Sequence, residues 1–332
     1  MRKNIVNILL LVLSCVILHE SAHASEGDRD VEFQNCLASC VNSGCKITSK
    51  TLFGLFPDWS CKDECSYNCM WDIEDSRRRA GKAPRQYYGK WPFKRLWGIQ
   101  EPLSTLFSVI NGVPHCYEML YRRHLLAPKQ LEPTLRTLSF ISGFVGINTW
   151  VWSAAFHARD TWLTERLDYH FATLHMLFYL WYAICRLAVT FRPRQVKLIT
   201  LISGLLLGSI FVHHVWYMNY VVFDYGWNMI ITGVFVATQF IMWMFWAAAT
   251  ILSSDPGMQG KPKRVAWMIV RFQLLLMSFA AFEAFDFPPV FDSLDAHAVW
   301  HGLTPPLVVY WYMFRETDAL LLSSSKRNGS KI

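Results

Sequence analysis

The sequence predicts an all-α membrane protein: a seven-transmembrane helix bundle with a small disulfide-rich N-terminal lumenal domain. Three observations carry this. The 332-residue chain is 53% hydrophobic and only 17% charged, where a soluble domain carries about a quarter charged residues. Seven apolar stretches of spanning length follow Pro102. Six cysteines crowd one polar window before it: Cys36, Cys40, Cys45, Cys61, Cys65 and Cys69.

The N-terminus reads as a processing signal. Arg2 and Lys3 precede an apolar run from Ile5 to Leu18, and Ala22-His23-Ala24 supplies a small-residue cleavage site before Ser25. Residues 1–24 are therefore expected to be a secretory signal peptide, since the run is too short for a typical span. An uncleaved signal anchor is the alternative, and either form sends the chain into the secretory pathway. Cysteine usage agrees with that route. An even, dense set behind a signal peptide reads as a disulfide framework in an oxidising compartment. Six cysteines allow 15 pairings, among which sequence does not choose. A zinc site is the competing reading, but the set has no CxxC pair. Cys116 and Cys185 lie in apolar stretches and are expected as packed thiols.

Residues 25–101 are expected to form the Cys-rich lumenal domain, ending in a basic and aromatic juxtamembrane linker, "SRRRAGKAPRQYYGKWPFKRLW". Residues 102–315 hold the expected spans at about 103–121, 137–156, 169–189, 198–217, 227–251, 265–283 and 297–314. Each is expected as a helix, because backbone polar groups in lipid must be satisfied within the segment. The net charge of +7 is not spread as in a nucleic-acid binder. Fourteen Lys and Arg lie in the odd-numbered connections and the tail, against only Arg159 and Arg166 on the opposite side. The positive-inside rule then puts the even-numbered connections in the lumen and the tail, 316–332, in the cytosol. The Asn328-Gly329-Ser330 sequon falls on the side where glycosylation does not occur.

Ionisable residues at span edges are functional candidates by default. The second stretch ends "WSAAFHARD", with Ser153 and His157 four apart on one helical face. Asp168 opens the third stretch. His297 and His301, again four apart, open the last. In the predicted topology all five share the lumenal depth. Two histidines at i and i+4 with a third from another helix make a His₃ set for Zn2+, which leaves one coordination position open, as in catalytic sites. Zinc lowers the pKa of a bound water to about 7. Asp168 is placed to take or relay a proton, and Ser153 to hydrogen-bond the water or a developing oxyanion. The bland reading is that each histidine is a satisfied interfacial residue. His115, His170, His175, His213 and His214 also lie in or near spans, so the pattern alone leaves a haem-ligating membrane cytochrome open.

These five positions, in order and at these span edges, resemble the signature of the CREST superfamily of membrane hydrolases, which includes alkaline ceramidases and adiponectin receptors. Within it the chain most closely resembles the Per1-like, post-GPI-attachment branch, over about residues 25–318. "CLASCVNSGC…CKDECSYNCMWD", "FHARDTWLTERLDYH", "FDYGWNM" and "FDFPPVFDSLDAHAVWH" carry that resemblance. The resemblance implies remodelling of glycosylphosphatidylinositol (GPI) anchors in the Golgi or endoplasmic reticulum. The implied reaction is phospholipase A2-type hydrolysis of the sn-2 acyl ester on GPI-anchored proteins. It also implies zinc on His157, His297 and His301, with Ser153 and Asp168 in catalytic roles. A ceramidase-like amide or ester hydrolase and a non-catalytic seven-helix lipid receptor or chaperone are the alternatives.

Overall fold

The computed structural model describes residues 25–45, 50–51, 54, 57–253 and 260–328. The signal peptide expected over residues 1–24 lies outside them, as do Gly329 and Ser330 of the sequon.

Cysteine spacing builds the N-terminal domain. It contains a short turn of helix, α1 (Glu26–Arg29), then α2 (Val31–Asn42) and α3 (Cys61–Arg79). Cys36 and Cys40 are one helical turn apart on α2, and Cys61, Cys65 and Cys69 repeat at the same interval on α3, so each set shares a face. The two faces are joined by nested disulfides, Cys36–Cys69, Cys40–Cys65 and Cys45–Cys61. The six cysteines are thus a disulfide framework and offer no thiolate set for a metal. Phe33, Leu37, Ile73 and Tyr87 fill the small core beside them. So small a core needs such staples. Asp30 caps α2 and a reciprocal Ser60–Asp63 capping box starts α3.

The linker is a folded part of the structure. Two tight turns, bridged Tyr87–Lys90 and Leu96–Ile99, carry it towards the bundle. Gly98 needs its positive φ, and a Cβ there would strike the Lys50 carbonyl. The linker's cations are held in ion pairs: Arg85 with Asp30, Arg95 with Glu64, Lys90 with Glu101 and Asp160, and both Arg78 and Lys94 with Asp292.

Long helices make up the rest. They are α4 (Pro102–Tyr117), extended by a π turn at Glu118–Arg122 and short α5 (Arg123–Leu126), then α6 (Pro133–Ala158), α7 (Trp162–Phe191), α8 (Val196–Tyr220), α9 (Tyr225–Ser253), α10 (Lys261–Ala284) and α11 (Ala296–Asn328). Each apolar stretch expected from sequence lies inside one of these helical segments. Neighbour contacts run α4–α6–α7–α9–α10–α11 and back to α4, closing a ring, with α8 packed outside on α7. Among the described residues four helices are long and apolar enough to cross a membrane: Trp162–Phe191, Pro193–Tyr220, Tyr225–Ser253 and Lys261–Glu283. α4, at 16 residues, is too short by itself, and α6 and α11 carry polar side chains inward, among them Ser153, His157, His301 and Asp318. The buried residues of α4 are Ser104, Ser108, Asn111 and His115, every one polar.

The apolar core sits between α7, α9, α10 and α11, around Tyr182, Trp243, Trp246, Phe272, Trp311 and Phe314. At the same level Arg186 of α7 makes a two-pronged ion pair with Asp318 of α11, at 2.7 and 2.8 Å, with both side chains at most 1% exposed. A buried pair held this way fixes the register of two helices, because losing either partner strands a charge. Cys185 is buried and Cys116 half-buried, both as free thiols.

Alkylation of the denatured but unreduced mature protein should therefore mark Cys116 and Cys185 and none of Cys36, Cys40, Cys45, Cys61, Cys65 and Cys69. Peptide mass spectrometry reads this, and label on any of the six contradicts the framework.

Candidate metal centre

Three imidazoles meet at the end of the bundle nearest the N-terminal domain. His157 comes from the last turn of α6, and His297 and His301 come from the first turns of α11. The Asp295 carboxylate accepts the Ala298 N–H at 2.8 Å and so sets where α11 begins. One turn of helix then separates the two histidines and puts both rings on one face. Their Nε2 atoms are 2.8 Å apart, and His297 Nε2 is 3.3 Å from His157 Nε2. One ring nitrogen from each of the three histidines lies within 4.8 Å of the other two.

The Nδ1 atoms explain why these nitrogens converge. His157 Nδ1 is 2.7 Å from the Glu101 carboxylate, and His297 Nδ1 is 2.7 Å from the Glu283 carboxylate. His301 Nδ1 is 3.1 Å from Ser108 Oγ, whose own hydroxyl donates to the Ser104 carbonyl at 2.7 Å. Ionised carboxylates only accept, and a hydroxyl that has spent its proton also accepts. The network therefore assigns the proton of each imidazole to Nδ1 and turns each Nε2 lone pair inward. Three lone pairs facing one another repel unless a cation stands between them. A second-shell acceptor on the far nitrogen is the usual arrangement of metal-binding histidine. Ligands about 2.0–2.1 Å from a tetrahedral ion stand about 3.3 Å apart; the His157–His297 spacing equals this, and the His297–His301 spacing, 2.8 Å, is shorter, so one ring must draw back to admit the ion. The donor set thus fits zinc. It does not fit the two axial positions of a haem, because His297 and His301 approach from one side.

Prolines position His301. Pro305 has no N–H, so the carbonyl four residues earlier, that of His301, lacks its helical partner. Asn111 Nδ2 donates to this carbonyl at 2.8 Å and Thr304 Oγ1 at 2.9 Å. The break in α11 is thereby used to fasten the ligand to α4. On α6, the Gln100 and Glu101 N–H groups donate to the carbonyls of Ala158 and His157 at 3.0 and 2.9 Å. These cap carbonyls that a helix end leaves open.

Ser153 lies one hydrogen bond from the ligands, 3.0 Å from Ser108 Oγ. Asp168 is half-buried at the start of α7, within electrostatic reach of His157, His297 and Lys90, and forms no hydrogen bond among the described residues. His157 and His301 are 3% and 5% exposed, while the His297 side chain is 36% exposed, so the cluster opens on the His297 side. His115 and His170, elsewhere in the bundle, have partners of their own. His115 bonds Tyr312 Oη at 2.7 Å, and His170 bonds Asn219 at 2.9 Å. Glu101 also accepts from Lys90 at 2.7 Å. Burial works against the Glu101 carboxylate, yet Lys90 and His157 hold it well below the usual range for Glu. Burial likewise disfavours the Lys90 ammonium, and Asp160 and Glu101 more than offset that.

Sequence reasoning missed Glu101, Glu283, Ser108, Lys90 and Asn111. Glu283 carried a signal, as the lone acid ending an apolar stretch. Ser108 carried none.

A helical membrane protein with a buried, opened three-histidine cluster is a candidate membrane metalloprotein. The sequence model of the Per1-like family matches residues 52–319, and the chain belongs to that family. It is 33% identical to "GPI-specific phospholipase A2-like PGAP3" of Danio rerio, over 98% of this chain and 100% of that one. The Homo sapiens protein of the same name is 30% identical over 94% of each chain. "Post-GPI attachment to proteins factor 3" of Drosophila melanogaster is 33% identical over 91% of each.

Glu283→Gln should weaken zinc binding by about 10–100-fold, the usual effect of losing a second-shell carboxylate. Competition against a chelator in detergent measures it. Unchanged affinity would show that Glu283 does not orient His297.

Proposed function

We propose that this protein is a zinc-dependent hydrolase of the phospholipase A2 type, acting on the sn-2 acyl ester of GPI-anchored proteins. The observation that carries the reading is the convergence of three Nε2 lone pairs, each set by an acceptor on its Nδ1. The printed names of the relatives, GPI-specific phospholipase A2-like proteins, supply the substrate class. In this reading residues 102–315 cross the membrane seven times, with α4, α6 and α11 as the three less apolar spans. Residues 1–24 are removed. The Cys-rich domain and the metal centre face the lumen of the secretory pathway, and residues 316–332 face the cytosol. GPI lipids occupy the lumenal leaflet, so their glycerol esters come to the depth of this centre.

His157, His297 and His301 would hold the zinc. When bound, it supplies Lewis-acid polarisation and makes water a competent nucleophile near neutral pH. The chain's own residues do the rest. Glu101, Glu283 and Ser108 keep the three rings in the tautomer that offers Nε2. Ser153, next to Ser108, offers a hydroxyl to negative charge developing on the ester oxygen. Asp168 accepts a proton during attack and returns it to the leaving glycerol oxygen. The exposed edge of His297 is where the lipid enters, while the enclosed sides of His157 and His301 exclude bulk water.

The test is made in cells lacking the endogenous activity. Wild type should restore removal of the sn-2 chain from GPI-anchored proteins, and His301→Ala, expressed at the same level, should leave the lipids as in the deficient cells. Full remodelling by His301→Ala would refute the zinc mechanism.

A further inference from the structure

The metal centre borrows a side chain from the N-terminal domain. Lys90 lies in the turn between Tyr87 and Lys90, well before the first bundle helix. Its ammonium sits 2.7 Å from Glu101 Oε1 and 3.0 Å from Asp160 Oδ2. It also lies 3.9 Å from the centre of the Phe156 ring. The other oxygen of Glu101 holds His157 Nδ1 at 2.7 Å. Phe156 precedes His157 and packs its ring against that imidazole at 5.3 Å between centroids. Lys90 thus bears on His157 along two routes, through the carboxylate that orients the ring and through the aromatic beside it.

The same domain grips both loops that lead to ligand histidines. After His157, Arg159 pairs with Asp63 at 2.8 Å and the Gln100 side chain accepts the Asp160 N–H at 3.1 Å. Before His297, Asp286 accepts from Gln86 at 2.7 Å and from Trp91 at 2.6 Å. Asp292 receives Arg78 at 2.5 Å and Lys94 at 3.0 Å. Phe291 and Asp292 both sit at positive φ, 54° and 57°, a conformation that costs a non-glycine residue energy and persists only where the surroundings hold it. The Val290–Leu294 bridge closes this turn from within, and from the N-terminal domain the Lys94 N–H donates to the Asp292 carbonyl while Arg78 and Lys94 pair with its carboxylate.

We propose that the disulfide-stapled N-terminal domain is a clamp on the metal centre and that Lys90 is its positioning residue, fixing Glu101 and through it His157. This rests on the reading of His157, His297 and His301 as metal ligands. The domain then contributes to metal affinity as well as to anything it recognises outside the membrane. Losing a partner bonded to a ligand histidine weakens metal binding by about 10–100-fold; Lys90 stands one hydrogen bond further out, so the lower end of that range is expected.

Cobalt(II) is the probe, titrated into the full metal-free chain in detergent and followed by its ligand-field absorption, with zinc competition as a second reading. Wild type should bind one cobalt with a four-coordinate spectrum. Lys90→Met should bind about tenfold more weakly with a shifted spectrum, and because it strands the Glu101 carboxylate its metal-free form should also unfold at a lower temperature. Lys90→Arg, which keeps the cation, should recover affinity to within about threefold. Lys90→Gln serves as the second neutral variant should Lys90→Met not fold. Wild-type affinity and spectrum in either neutral variant would overturn the clamp while leaving the metal centre standing. Absence of cobalt binding in wild type itself would overturn the metal reading and the clamp with it.

Discussion

Three imidazole lone pairs are pointed at one another inside a helical bundle, and most of what is unusual in this structure follows from holding them there. Uncompensated polar atoms are expensive at such depth. The chain meets that cost by giving each Nδ1 an acceptor and leaving each Nε2 for a cation. Glu101, Glu283 and Ser108 come from the linker before α4, from α10 and from α4 itself. The centre therefore ties together parts of the chain that are far apart in sequence.

That requirement shapes the helices. α4 turns a wholly polar face inward. Asn111 on that face takes up the carbonyl that Pro305 strands in α11, so a helix break becomes a tie between ligand helix and neighbour. Away from the centre the bundle is held by other means: edge-to-face and tilted aromatics around Trp243 and Trp311, and the buried Arg186–Asp318 pair. One region is polar and assembled by hydrogen bonds. The other is apolar and packed.

Much of this was legible in the sequence, and the boundary of legibility has a physical cause. Helical periodicity is local, so Ser153 with His157 and His297 with His301 declared shared faces. The Cys-rich window declared a framework, though its pairing needed the antiparallel packing of α2 on α3. The apolar stretches marked the helices, yet the first and last of them, in α4 and α11, were the least apolar because they carry polar residues of the site, Ser108 and Asn111 in one and His297 and His301 in the other. What stayed hidden depends on long-range approach. Glu101 meets His157 across 56 residues and Ser108 meets His301 across 193. No local pattern encodes either. Asp168 is a case of the opposite kind: it was singled out from sequence, and among the described residues it faces the histidines through charge without a hydrogen bond to them.

The most direct test of the central claim is X-ray absorption at the zinc edge of the purified protein. The account predicts three imidazole nitrogens at about 2.0–2.1 Å with the multiple-scattering pattern of histidine, and no sulfur at about 2.3 Å. A sulfur shell, or a zinc environment without histidine scattering, would contradict it.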